Sequence, residues 1–305
     1  MHSQYLTLDC KGENEELLYL NLNTKQQFVF LNTNWDIALQ SDNQGNAIRI
    51  NHSDKANQLY ESSDTSLFTP FKTILKNGTK MMDSVNTWTQ NTAIGDWWRN
   101  GLPKRNIYLY HQEPDIYGKG ERAIKFRINK IKDKKYTIDY IDEIKDKNSI
   151  INALIPQNND YNFVYYSFKE EGIIKNMEPI KTDWDILFTS YRDMVKYEVD
   201  QTFYPYQVLG VLINPYNTWI HKTASGKGFY EIDQYYCKNA PMCEISNTVG
   251  YDWKTFNLNL SKYSTDTSAS WILKNSKGEY FKFRFLNFYN QKGVSGYPTI
   301  EFVQF

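Results

Sequence analysis

The side chains of this chain that could do covalent or acid–base chemistry are four histidines, three cysteines and 35 carboxylates. Their spacing argues against catalysis. His2, His52, His111 and His221 stand in no triad context, and no Gly-x-Ser-x-Gly elbow is present. Dinucleotide and phosphate-loop glycine patterns are absent. Gly118-Lys119-Gly120 and Gly226-Lys227-Gly228 read as hairpin turns. Among the many carboxylates no two are singled out as a glycosidase pair. Cys237 and Cys243 are close enough to bridge across a tight loop in an oxidising compartment, or are two ordinary thiols. Cys10 then has no partner, and without a Cys-x-x-Cys pair a structural zinc is not expected. The chain reads as a binding protein rather than an enzyme.

The elements that position these residues follow from a repeat. Thr33-Asn34-Trp35-Asp36-Ile37-Ala38-Leu39 returns about half a chain later as Thr182-Asp183-Trp184-Asp185-Ile186-Leu187-Phe188. Further matches run in the same order. Leu18-Tyr19-Leu20 corresponds to Val164-Tyr165-Tyr166, and Ile94-Gly95-Asp96-Trp97-Trp98 to Val249-Gly250-Tyr251-Asp252-Trp253. Ile124-Lys125-Phe126-Arg127-Ile128 corresponds to Phe281-Lys282-Phe283-Arg284-Phe285. Collinear self-matches mark an internal duplication. The repeated Asp36 and Asp185 are read as residues that order a strand end beside their Trp.

Composition agrees with β structure. Aromatics make up 16% of 305 residues, with 24 Tyr, and such side chains suit pleated, half-buried surfaces. Short alternating segments recur between turn residues, as at Leu18–Leu22, Ile124–Ile128 and Tyr136–Ile141. A short helix is expected at 70–76, and long loops over the rest of 53–106 and over 222–252. The expectation is an all-β fold of two related antiparallel units with long loops and little helix. An N-terminal arm covers 1–16, the first unit 17–145, a linker 146–160 and the second unit 161–305. The zero net charge excludes a nucleic-acid binder working by bulk electrostatics. No apolar run approaches the 18 residues of a membrane helix, and residues 1–20 lack a signal-peptide pattern.

Phe163-Val164-Tyr165-Tyr166-Ser167-Phe168, Trp184-Asp185-Ile186 and Val208-Leu209-Gly210-Val211-Leu212 occur in that order. They are followed by Val249-Gly250-Tyr251-Asp252-Trp253-Lys254, Tyr280–Phe285 and Gly296-Tyr297-Pro298-Thr299. This set resembles the HmuY family of haem-binding surface lipoproteins of Gram-negative bacteria. The resemblance covers 161–305, and Trp35-Asp36-Ile37 with Ala47–Asn51 resembles the N-terminal half of longer members. It implies a HmuY-like architecture and a leader or lipid anchor removed from this chain. It also implies an extracellular or outer-membrane location, where haem is captured from host or neighbouring proteins and passed to an outer-membrane transporter. Family members ligate haem through paired His or paired Met on loops, and no His pair stands at matching places here. Downstream of Trp253 the chain has Thr255, Phe256 and Asn257, none of them a usual ligand. The loop before Trp253 offers Met242 and His221, the two candidate haem ligands, with Lys222 and Lys227 as candidates for the propionates. The competing expectation is a non-haem module on the same fold that binds a glycan or protein partner.

Overall fold

Short apolar-rich segments between turn residues build nearly all of the regular structure, some alternating in burial as at Gln27–Leu31 and others buried throughout as at Ile37–Gln40. The computed structural model describes every residue except 1, 11–15, 42–46, 52–56, 84–87, 89–91, 100, 198–200 and 225. In chain order the first strands are β1 (Gln4–Thr7), β2 (Glu16–Leu20), β3 (Gln27–Leu31), β4 (Ile37–Gln40), β5 (Ile48–Ile50) and β6 (Asn57–Ser62). Helix α1 (Phe71–Asn77) leads to β7 (Thr79–Met81), β8 (Trp98–Arg99), β9 (Leu102–Pro103) and β10 (Ile107–Gln112). Then come β11 (Arg122–Lys132), β12 (Lys135–Asp142), β13 (Asp146–Pro156), β14 (Phe163–Ser167) and β15 (Gly172–Ile174). The long strands β16 (Ile186–Lys196) and β17 (Phe203–Ile213) precede β18 (Trp219–Lys222) and helix α2 (Gln234–Asn239). The chain finishes as β19 (Lys254–Asn257), β20 (Lys262–Thr265), β21 (Trp271–Lys274), β22 (Tyr280–Tyr289) and β23 (Ser295–Gln304). The fold is all-β, with half of the residues in strands and 6% in helix.

The chain packs as two units. Unit 1 comprises Met1–Asn32 and Glu178–Phe305, and unit 2 comprises Thr33–Ser84 and Trp88–Met177. Unit 1 pairs a sheet of order β17-β16-β2-β3 with one of order β1-β23-β22-β21-β18. Unit 2 has sheets of order β5-β4-β14-β15 and β13-β12-β11-β10-β6-β7. Apart from β7, the two units match strand for strand. Each encloses its own core: Leu18, Phe188, Trp253, Phe283 and Phe285 are among the buried side chains of unit 1, and Ile37, Trp97, Phe126, Tyr140 and Phe168 among those of unit 2.

Unit membership differs from the two halves expected of the sequence. β1, β2 and β3 come early in the chain but complete the unit built from its late strands, with Leu18–Leu20 paired to Ile186–Phe188. β14 is late but pairs with β4, Phe163 opposite Gln40. The stretch 146–160, expected as a linker, holds β13, which pairs with β12 from Lys135↔Pro156 to Asp142↔Asp146. Its turn-rich ends suggested a boundary, but Ile151, Ala153 and Ile155 face the core of unit 2 and set the strand. Within 53–106 the expected long loops give way to β6 and β7 and to the short pair β8 and β9, while α1 coincides with the expected helix. Cys237 and Cys243 are separate free thiols. His52 and the turn at 44–46 lie outside the described residues.

The repeated residues hold equivalent places. Asp36 N donates to Tyr166 O (2.9 Å) and Asp185 N to Leu20 O (2.8 Å). The Asp36 carboxylate accepts from Phe168 N (2.7 Å) and that of Asp185 from Leu22 N (2.6 Å). Asn51 Nδ2 donates to Trp35 O and Asn214 Nδ2 to Trp184 O. Each Asp therefore ties the signature strand to the end of its neighbour, satisfying a buried backbone N–H that would otherwise cost free energy.

Candidate ligand-binding site

Two hairpins of unit 1 extend beyond its core. β16 and β17 remain paired from Ile186↔Ile213 to Lys196↔Phe203. The β2 pairing reaches β16 over Ile186–Phe188, so the distal part of β16 and β17 is a two-stranded ribbon. Such a ribbon is marginal in water by itself and is stabilised by whatever packs on it.

The second hairpin, β19 and β20, points the same way. Val211 and Gly250 form an antiparallel bridge, with Val211 N donating to Gly250 O (2.9 Å). Antiparallel neighbours run in opposite directions, so residues after Gly250 head toward the end from which β17 starts. The approach is close: a Cβ at Gly210 would stand 2.6 Å from Gly250 O, which leaves room for glycine alone. At the root of this hairpin Lys254 Nζ donates to Leu209 O (2.7 Å) and lies 4.5 Å from the Trp253 ring and 5.2 Å from that of Phe288. Burial in this aromatic surround holds the amine down to about 8. Burial also pushes the Cys10 thiol up to about 12, so it is no thiolate nucleophile at neutral pH. Phe256 packs edge-on to Tyr263 (4.9 Å), and Tyr263 to Phe288 (5.1 Å), which fastens the hairpin to β22.

The ribbon has two chemically distinct faces, because paired residues share a face and successive residues alternate. Arg192, Met194 and Lys196, with Phe203, Pro205 and Gln207, continue the face of core residues Phe188 and Val211. Asp193, Val195, Tyr204 and Tyr206 occupy the other face. Met194 is 46% exposed, Phe203 59% and, on the second hairpin, Leu258 82% and Leu260 68%. Large apolar side chains this open on two neighbouring tips are a binding surface in the making. Tyr191 Oη, on the opposite face of the ribbon from Met194, and Trp253 Nε1 are buried without a hydrogen-bond partner among the described residues.

The face of Met194 and Phe203 thus presents a thioether and apolar side chains to solvent, and the opposite face presents the phenols of Tyr204 and Tyr206. Among the described residues no three His, Cys, Asp or Glu gather to hold a bare metal ion. No described helix is long and apolar enough to cross a membrane.

The two ligand candidates read from the sequence lie elsewhere in unit 1. His221 is on β18, opposite Ile272 of β21. Ile220 and Cys243 bridge antiparallel with both backbone bonds at 2.8 Å, so Met242 falls opposite His221. The two side chains thus share one face of the second sheet, beyond the C-terminal end of β17, whereas the hairpin tips lie at its N-terminal end. Neighbours on one face cannot clasp a macrocycle from both sides. Met242 packs against Ile232, Cys237 and Ile272 beneath α2, filling a gap as a flexible thioether does. Lys222 bonds Asp252 (3.2 Å), and Lys227 lies over the Tyr236 ring (4.9 Å). Met194 and the ribbon carry little signal in the sequence. Their residues follow the strand period but have no burial to mark it, and only the exposed Tyr-rich run Phe203–Tyr206 signals them.

Residues 159–302 match the family described as HmuY protein. No curated protein matches the sequence. Among solved structures, apo PinO from Porphyromonas gingivitis is 6% identical with a TM-score of 0.32, over 100% of this chain and 97% of that one. The apo HmuY analog of Tannerella forsythia is 10% identical (TM-score 0.28, 99% and 95% covered). A HmuY-like protein of Bacteroides vulgatus is 11% identical (TM-score 0.28, 99% and 91% covered).

Proposed function

From the place of residues 159–302 in the HmuY family, we propose that the chain is a haem-binding, hemophore-like protein of the cell surface or its surroundings. It captures haem from haem-carrying proteins and delivers it to an outer-membrane transporter. The observation that supports this reading is the pair of projecting hairpins on unit 1, which leave the thioether of Met194 and the apolar side chains of Phe203, Phe256 and Leu258 open to solvent. Haem here is cargo, and the chain's work is to orient it and exclude water from its faces. Met194 is the first candidate for the iron. Met242 and His221 are the second, and would have to leave their present packing. The tyrosines on the opposite ribbon face favour a second reading, a module for a glycan or protein partner.

The test is a haem titration followed by the Soret band, with Met194→Ala, Met242→Ala and His221→Ala. A sharpened, saturable band that weakens in the Met194 variant is the expected result. Weakening only in Met242→Ala or His221→Ala would move the ligand to the second sheet. No saturable binding in either iron oxidation state would favour the glycan or protein reading.

A further inference from the structure

Neither unit is built from one continuous half of the chain. The strand orders match β1, β2 and β3 of unit 1 with β13, β14 and β15 of unit 2. Apart from β7, they match β4–β12 of unit 2 with β16–β23 of unit 1. The repeats in the chain therefore run β1–β12 and β13–β23. Each repeat seats its first three strands on the body of the other. β1 pairs with β23 and β2 with β16, while β13 pairs with β12 and β14 with β4. The bonds of the two trades correspond. Leu22 N donates to Asp185, and Phe168 N to Asp36. Tyr5 Oη donates to Glu301 (3.2 Å), which Arg284 also grips, and Asn152 Nδ2 donates to Asp139 (2.6 Å), which Arg127 also grips. The chain passes between units after Asn32 and again after Met177, at corresponding points beyond β3 and β15.

A reciprocal trade of this kind is domain swapping carried out within one chain: an element leaves its own body and makes the same contacts on an equivalent one. The arm β1–β3 is joined to the rest of unit 1 by way of unit 2, which the chain enters at Thr33. Pairing and burial seat it. Leu8, Leu18, Leu20 and Leu22 of the arm share a core with Phe188, Val211 and Trp253, at the roots of the two projecting hairpins. The arm of a second copy offers the same side chains in the same register. We propose that β1–β3 is an exchangeable segment whose partner is a second copy of this chain, so that two chains close into a dimer in which each unit 1 is completed by the other's arm. The closed and exchanged forms make the same arm contacts and differ at the crossing after Asn32, which makes swapping a low-cost route to a dimer. Unit 1 carries the ribbon, so the partner's arm completes the unit that presents it. The inference does not rest on the haem reading. Trading requires the arm to leave first, which uncovers its leucines, so it takes place on refolding rather than in the closed chain.

Thr7 and Thr299 face each other across β1 and β23 at an exposed position, with their hydroxyls 3.0 Å apart. Opposed residues of an antiparallel pair lie within the span of a disulfide. Full chains carrying Thr7→Cys alone and Thr299→Cys alone are unfolded in denaturant, mixed, refolded together over a range of concentrations and then oxidised. A disulfide between positions 7 and 299 can then form only where the arm of one chain sits on the body of the other. The mixture should give more linked dimer than either chain refolded alone. The linked fraction should rise about tenfold for a tenfold higher chain concentration while monomer predominates. The double variant Thr7→Cys, Thr299→Cys should close within one chain at low concentration and link two chains at high concentration. A near-ultraviolet dichroism spectrum matching that of the unaltered chain checks the fold. A mixture that yields no more linked dimer than either chain alone overturns the exchange. So does a double variant that closes within one chain at every concentration.

Discussion

Units 1 and 2 share a strand order but differ at two matching places. Where unit 1 has strands of eleven residues in β16 and β17, unit 2 has β4 and β5 of four and three. Where unit 1 sends out β19 and β20, unit 2 has the two-residue strands β8 and β9, with Asp96 held by Arg99 and Lys104. Among the described residues unit 2 thus keeps the scaffold with shorter strands at both places, and its own open apolar side chains include Leu102, Ile116 and Tyr117. The second difference is buried. Arg122 grips Asp36 through two bonds (2.7 and 2.9 Å), whereas Asp185 has no ion pair among the described residues and is held by Leu22 N and by Asn275. Desolvation accordingly pushes the Asp185 carboxyl up to about 6. At this matched position unit 1 leaves its buried carboxyl without the cation that unit 2 supplies.

The largest effect should come from breaking the compensated pair. Arg122→Ala leaves Asp36 buried without its cation and should cost unit 2 about 3–5 kcal/mol, seen as faster hydrogen exchange in unit 2 peptides. Unit 1 peptides should be unaffected; a uniform loss would show that the units do not open separately.

Asp185 should behave in the opposite sense. Its folded pKa lies above the unfolded one, so the folded state holds the proton more tightly. That contribution to stability is full below pH 3.8 and is lost as pH rises through about 6. At roughly 1.4 kcal/mol per pKa unit the whole span is worth about 3 kcal/mol. Asp185→Asn should flatten this part of the pH profile of unit 1. An unchanged slope would assign it to other carboxylates.

Gly210→Ala should cost unit 1 about 1–3 kcal/mol, because the new methyl meets Gly250 O. If denaturant unfolding is unchanged, the close approach of the second hairpin to β17 is wrong. Lys254→Met should have the smallest effect. It removes a buried amine whose depressed pKa stabilises the fold above pH 10.5 and is lost as pH falls through about 8. Stability at neutral pH should change little, because relief of the buried amine's desolvation is offset by loss of its bond to Leu209 O. The variant should lose the alkaline rise, which a pH series of thermal unfolding reads out.

Much of the scaffold was legible because burial writes itself into residue order. Ile124, Phe126 and Ile128 alternate with Lys125 and Arg127, and each set lies where the period places it. The period did not reveal that Lys125 is itself buried, with its Nζ on Thr69 O and paired with Glu143. The equivalent Lys282 donates to two carbonyls near α2, so in both units a lysine stem crosses an apolar layer to reach polar partners. The Trp-Asp-Ile repeat located equivalent strands, but not which distant strand each would meet. That choice is made by contacts across more than 100 residues, and no local pattern encodes it. The site was the least legible part. Met242 drew notice as an unusual thioether in a polar loop and proves to be packed, while Met194 lies in a run whose exposure erases the strand signal.

The most direct measurement is a haem titration of the intact chain beside a variant whose ribbon is cut back to the short form of unit 2. Residues 193–206 would be replaced by an Asn-Gly turn joining Arg192 to Gln207, which face each other across the ribbon. Saturable binding of one haem by the intact chain, lost in the shortened variant with its fold preserved, is the predicted result. Equal binding by both chains would contradict the assignment of the site to the ribbon.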